Sequence, residues 1–241
     1  MTSRFAETWV YLSSSPLLWL ALTVTAYALF DALYRKVGRS PIVHPVLTTV
    51  VALATVLTLS GTPYPRYFEG AQFVHFLLGP AVVGLAVPLV REWPSVRRLA
   101  VPIAGALVVG STVALGSALG LAWLLGASPV TLLSLAPKSV TAPIAMGIAE
   151  KLGGLPALAA VFAVTTGILG AALGKYVLDA CRVRDWRARG FALGLAAHGI
   201  GTARAFQVNA DAGAFAGLAF ALHGLAAAFL FPLGYLLLTS R

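Results

Sequence analysis

The sequence predicts an all-α integral membrane protein with about seven to eight transmembrane segments, one or two of them broken or re-entrant, forming a single polytopic domain over residues 1–241. Two observations predict this. Hydrophobic residues fill 59% of the 241 positions and charged residues only 10%. A soluble domain carries about 25% charged residues, so this chain has too few to face water. The second observation is the distribution of those charges. They are absent from long runs such as Gly70–Val90, Leu99–Pro137, Leu152–Gly174 and Ala212–Ser240, and about 20 apolar residues cross a bilayer as a helix. No period-two alternation points to a β-barrel.

That length rule places segments near 16–34, 42–60, 71–90, 99–125, 130–149, 155–178, 188–207 and 213–238. Aromatic residues at their ends (Trp9, Tyr11, Trp93, Trp186) suit the membrane interface. Arg35, Lys36 and Arg39 follow the first apolar run as a stop-transfer flank would, which argues against a cleaved signal peptide. The net charge of +9 gathers in Arg35–Arg39, Arg91–Arg98 and Arg182–Arg189, between apolar spans. That is the positive-inside pattern, with attraction to anionic lipid, and it excludes nucleic acid as the partner. The expected location is the cell inner (plasma) membrane, multi-pass.

Sidedness meets a conflict at the fifth segment. If every segment crossed, the basic loop Arg182–Arg189 would land outside, against the Lys/Arg rule. The conflict disappears if the fifth segment dips in from outside and returns. This reading puts the N-terminus outside and the C-terminus inside. The middle of that segment reads LAPKSVTAP, where Pro137 and Pro143 disrupt a helix. Irregular backbone at that depth is tolerated only when buried in protein or lining a wet cavity. An earlier stretch, Phe76–Leu89, is also interrupted, by Gly79, Pro80 and Pro88. It loosely echoes Leu132–Met146 with Pro80 aligned to Pro137, a pattern found in repeat-built transporters. Sidedness has both stretches entering from outside, which an inverted repeat does not do.

Lys138 follows the uncharged run Leu99–Pro137. A lysine at the centre of a membrane helix costs about 2.5–3.5 kcal/mol on insertion scales, so it needs a partner or a wet pocket. After Pro137 a new half-helix would leave free N–H groups around Ser139, Val140 and Thr141. Those donors, the helix dipole, two hydroxyls and the ammonium make an anion site. The alternative is a lysine that snorkels to the interface. The second constellation is HGIGTAR, His198–Arg204. Gly199 and Gly201 allow close backbone approach, His198 and Thr202 offer polar atoms, and Arg204 can fork onto a carboxylate. Arg204 could equally mark the end of the seventh segment. His198 could relay protons or act as a hydrogen-bonded packing residue. Glycines at 167, 170 and 174 suit close helix packing.

Other chemistry is missing. The single cysteine, Cys181, excludes an internal disulfide, and His44, His75 and His223 lack metal-ligand spacing. No nucleophile elbow, P-loop, dinucleotide fingerprint or HExxH is present. The expectation is therefore no catalytic residue, no metal and no cofactor.

YFEGAQFVHFLLGPAVVGLAVPL (Tyr67–Leu89), LAPKSVTAPIA (Leu135–Ala145), GGLPALAAVFAVTTGILGA (Gly153–Ala171) and ARGFALGLAAHGIGTARAF (Ala188–Phe206) together resemble the LrgB/CidB family, over about residues 40–241. The PKSVT and HxIGTA blocks are its specific parts. The resemblance implies one of two roles. One is a carrier of small monocarboxylates such as pyruvate, glycolate or glycerate. The other is an antiholin-like regulator of murein hydrolase activity and lysis that works with an LrgA/CidA-type partner. A homo-oligomer is also expected. The resemblance carries over to Pro137, Lys138, Ser139, Thr141, Pro143, His198, Gly201, Thr202 and Arg204. It departs at Ala142, Ala197 and Gly199, where Thr, Ser and Ala are expected, so two hydroxyls are lost near the proposed pocket.

Overall fold

A computed structural model describes residues 15–38, 43–77, 80, 90 and 93–239, with backbone alone at 75 and 235–239. The described residues are helical with no strand. The chain divides into two compact units, Met1–Gly84 and Leu85–Arg241.

The first unit contains α1 (Pro16–Lys36), α2 (Pro45–Ser60) and α3 (Tyr64–Phe76). Pro16 and Pro45 start their helices where a missing N–H costs nothing, and Gly61 ends α2 in the left-handed region at φ 63°. Trp19, fully buried, stands edge-on to Tyr67 at 6.0 Å. Gly70 lets α3 approach the Pro16 carbonyl, where a Cβ would collide.

The second unit holds α4 (Trp93–Arg98), α5 (Ala100–Leu124), α6 (Pro129–Leu135), α7 (Ala142–Leu152), α8 (Pro156–Ala180), α9 (Trp186–Val208) and α10 (Ala210–Thr239). Local chemistry sets the helix starts. Ser128 caps α6 by accepting from Thr131 N, and Asp185 Oδ1 caps α9 at 2.9 Å from Ala188 N. Asn209 Oδ1 does the same for α10 at Ala212 N. Gly153, at φ 82°, ends α7.

Four helices among the described residues are long and apolar enough to cross a membrane: α1, α5, α8 and α10 over Ala210–Gly234. The expected seven to eight is not confirmed among these residues. α2 stops at 16 residues. Most of the third expected segment, with Gly79 and Pro88, lies outside the described residues, and Pro80 is exposed. The fifth and seventh segments are interrupted and turn back.

The fifth segment is α6, a turn over 136–141, and α7. A helix running straight from Ser134 to Leu155 would separate them by about 30 Å. Instead Leu155 N donates to Ser134 Oγ at 2.8 Å, so the chain has returned. Only Gly153, Gly154 and Leu155 join α7 to α8, and the two pack antiparallel through Ala145, Ile148, Ala149 and Leu152 against Ala159 and Ala163. α7 has 11 residues, about 16 Å, so its first residue lies level with the middle of α8.

The seventh segment, α9, is 23 residues of helix broken at His198, whose φ 41°, ψ −132° is not helical. Straight, it would run about 34 Å. Three contacts show that it reverses. A Cβ on Gly201 would lie 2.5 Å from Leu193 O, eight residues back. Leu193 packs on the cluster of Ala205, Ala212 and Ala216 and lines one cavity with Ala205, which a straight helix would hold about 18 Å away. A Cβ on Gly190 or Gly194 would run into the carbonyl of Ala212 or Ala216 respectively. That constant offset means that the first half of α9 runs parallel to α10, so the second half, 199–208, must carry the chain back between them.

Candidate functional site

The two reversals meet at mid-depth of α8. Along one face of α8, Gly174 lies against Leu193, Gly170 against Ala197 and Gly167 against His198. A Cβ on Gly167 would stand 2.7 Å from the His198 ring, which is why α8 is small-faced there. His198 is buried at 4% exposure, and its Nε2–H donates to Ala163 O at 2.9 Å. Thr202 Oγ1, also buried, donates to His198 O at 2.8 Å. These two bonds pin the reversal. At φ 41° the His198 backbone is in a conformation that favours glycine, a strain of about 1–3 kcal/mol that the surroundings must hold. Among the described residues the only other non-glycine with positive φ is Arg182. Gly201 is required by the close approach to Leu193. Gly199 is not, since a Cβ there would meet nothing within 4 Å.

The first reversal reaches the same level. Val140, 2% exposed, packs in one apolar cluster with Ala163 of α8 and Ala227 of α10. Its N–H is used within the turn, donating to Pro137 O at 3.2 Å, and Lys138 N likewise donates to Leu135 O. Lys138 is half-buried, and its Nζ donates to the Oγ of buried Ser139 at 3.3 Å. Among the described residues no carboxylate pairs with it. Thr141 is the N-cap of α7, its hydroxyl makes no capping bond, and Pro143 lies in the first turn. Both second half-helices, α7 and 199–208, therefore begin at mid-depth, with their N-terminal ends toward the tips. Lys138 lies within electrostatic range of His198 and His223.

A cavity of about 360 Å³ opens beside the first tip, lined by Pro137, Ser139, Val140, Ser111 and His223. His223 Nδ1 lies 2.8 Å from Ser111 Oγ, joining α10 to α5 across it. In the sequence His223 lacks metal-ligand spacing and carries no motif. Its signal was a lone imidazole within an otherwise uncharged span.

Arg204 is elsewhere. It borders a separate cavity of about 490 Å³ with Lys175, Asp179, Arg184 and Arg189, because the reversal of α9 carries 204 back to the level of 189. Lys138 lines neither this cavity nor the one beside the first tip, so Arg204 and Lys138 do not share a cavity. The alternative for Arg204, a marker at the end of its segment, describes its position. Among the described residues no cluster of His, Cys, Asp or Glu is suited to a metal.

The LrgB-like family model matches residues 23–237. The chain belongs to this family. Among relatives of this LrgB-family protein, YxaC of Bacillus subtilis is 36% identical over 89% of this chain and 93% of its own. YwbG of the same organism is 38% identical over 80% and 86%. The holin-like protein CidB of Staphylococcus aureus is 28% identical over 92% and 96%. No solved structure matches. The family resemblance carried by PKSVT and HxIGTA holds, and in this LrgB-family fold those blocks are the two reversals.

Proposed function

We propose that this LrgB-family membrane protein is a secondary transporter of small monocarboxylates of the pyruvate, glycolate or glycerate type, with the substrate held at the tips of the two reversals. One observation carries the reading: Lys138, half-buried and without a carboxylate partner among the described residues, stands where two interrupted helices meet at mid-depth of α8. Discontinuous helices whose N-termini face an anion near the bilayer midplane are how many carriers build a site. Two such ends and an ammonium favour a single small negative charge. The hydroxyls and backbone N–H groups of Ser139 and Thr141 supply donors at one tip, those of Lys138 and Val140 being used within the turn. The N–H groups after His198 supply them at the other, with His198 and Thr202 positioning that tip.

Sidedness follows from the reversals and the Lys/Arg rule. With the basic loop Arg182–Arg189 inside, α6–α7 enters from outside and α9 from inside, on either side of the α8 span. α10 then crosses outward. On this reading the far end of α10 lies outside, whereas a crossing seventh segment would put it inside. The pair of hairpins resembles an inverted arrangement suited to alternating access. The proposed location is the plasma (inner) membrane.

Uptake of labelled pyruvate and glycolate into proteoliposomes tests this. Lys138→Ala should abolish uptake that saturates with substrate, while Lys138→Arg should retain part of it. Unchanged uptake in Lys138→Ala would remove the site. Non-saturating flux would indicate a channel.

The relatives named holin-like favour a second reading, an antiholin-like regulator of murein hydrolase activity acting with an LrgA/CidA-type partner. It predicts a lysis phenotype that depends on that partner and tolerates Lys138→Ala.

A further inference from the structure

We propose that the cavity bordered by Lys175, Arg184 and Arg204 binds the phosphate headgroup of an acidic phospholipid. Four cations border it against one carboxylate. Asp179 spends its charge on Arg189 at 2.7 Å, and Arg189 also donates to Val183 O at 2.8 Å and lies 5.3 Å over the Trp186 ring. That leaves three cations. Among the described residues Lys175 and Arg184 have no carboxylate partner, and Arg204 reaches only Gln207 Oε1 at 3.5 Å. Phosphate suits such a set, since guanidinium groups fork onto its oxygens.

The rest of the lining selects the carrier of that phosphate. Ala171, Leu178 and Leu193 form an apolar wall, and Trp186 sits at its rim as an interfacial aromatic does. A volume of about 490 Å³ lies in the range for ligands much larger than a three-carbon acid, about 300–1,000 Å³. A free small anion would leave the apolar wall unused, whereas a lipid places its headgroup on the cations and its first methylenes on the wall. Basic pockets between membrane helices at the cytoplasmic side hold acidic headgroups for this reason. The site exists because α9 folds back. A straight helix would hold Arg204 about 22 Å from Arg189. The inference is independent of the carrier reading, since lipid binding is measured without uptake.

The test uses the purified full-length protein in neutral detergent. Binding of phosphatidylglycerol, phosphatidylcholine and inorganic phosphate is followed by native mass spectrometry and by the shift in thermal unfolding. Phosphatidylglycerol should be retained and raise the unfolding temperature, and phosphatidylcholine and inorganic phosphate should not. Arg204→Gln and, at an exposed position, Lys175→Gln should each weaken phosphatidylglycerol binding about tenfold, the loss of one charge-assisted contact. Arg97→Gln removes the same charge at an exposed position outside the cavity and should leave binding unchanged. Equal weakening by Arg97→Gln would reduce the effect to net charge and overturn the site. Stabilisation by inorganic phosphate equal to that by phosphatidylglycerol would overturn the lipid as its occupant.

Discussion

Gly194→Ala decides whether α9 folds back, because the two arrangements predict opposite signs. A glycine in an exposed helix interior costs about 1 kcal/mol relative to alanine. If α9 ran straight, Gly194 would lie far from Ala216, and alanine would stabilise the protein by up to that amount. In the reversed arrangement a Cβ at 194 meets the carbonyl of Ala216. That carbonyl belongs to a helix main chain and cannot rotate aside, so the overlap falls toward the upper part of the roughly 1–3 kcal/mol range for overpacking. Offset by the propensity gain, the net loss is about 1–2 kcal/mol. At about 2–4 °C per kcal/mol for a chain of this size, the midpoint should fall by about 2–8 °C. Tryptophan-monitored thermal unfolding in detergent measures it. Gly116→Ala is the internal standard, since a Cβ there meets nothing within 4 Å, and it should hold or raise the midpoint. If Gly194→Ala behaves like Gly116→Ala, the parallel packing of α9 on α10 is wrong.

At His198 the usual helix preference should also invert. Both His198→Ala and His198→Gly lose the bond to Ala163 O, but only glycine relieves the strained φ of 41°, so the glycine variant should unfold about 1–3 kcal/mol later. A more stable alanine variant would mean that no break exists there. Ser134→Ala removes the acceptor for Leu155 N, a bond of 2.8 Å, and should cost about 1–3 kcal/mol, read as a lowered unfolding midpoint with composition otherwise unchanged. Asp31→Asn breaks the Asp31–Arg35 pair at 3.0 Å, whose Arg35 side chain is 64% exposed. The same melts should show a loss of no more than about 0.5 kcal/mol.

Composition alone settled the solvent. Too few charges to face water, and uncharged runs as long as a bilayer is thick, required buried backbone hydrogen bonds and therefore helices. The break at Pro137 was equally legible, because proline removes a donor wherever it occurs, and the conflict with the Lys/Arg rule required that segment to turn back. The reversal at His198 was not. Histidine, glycine and alanine carry no proline-like signal, and the stretch has enough apolar residues to pass for a span. What turns it is packing. Glycines 190 and 194 bring α10 onto the first half, Gly201 admits Leu193 O, and Ala163, distant in sequence, supplies the acceptor for the imidazole. The same reversal took Arg204 away from Lys138 and set it among Lys175 and Arg184. Residue types specify which chemistry is available. Which groups share a cavity depends on long-range contacts between positions that nothing in local spacing connects.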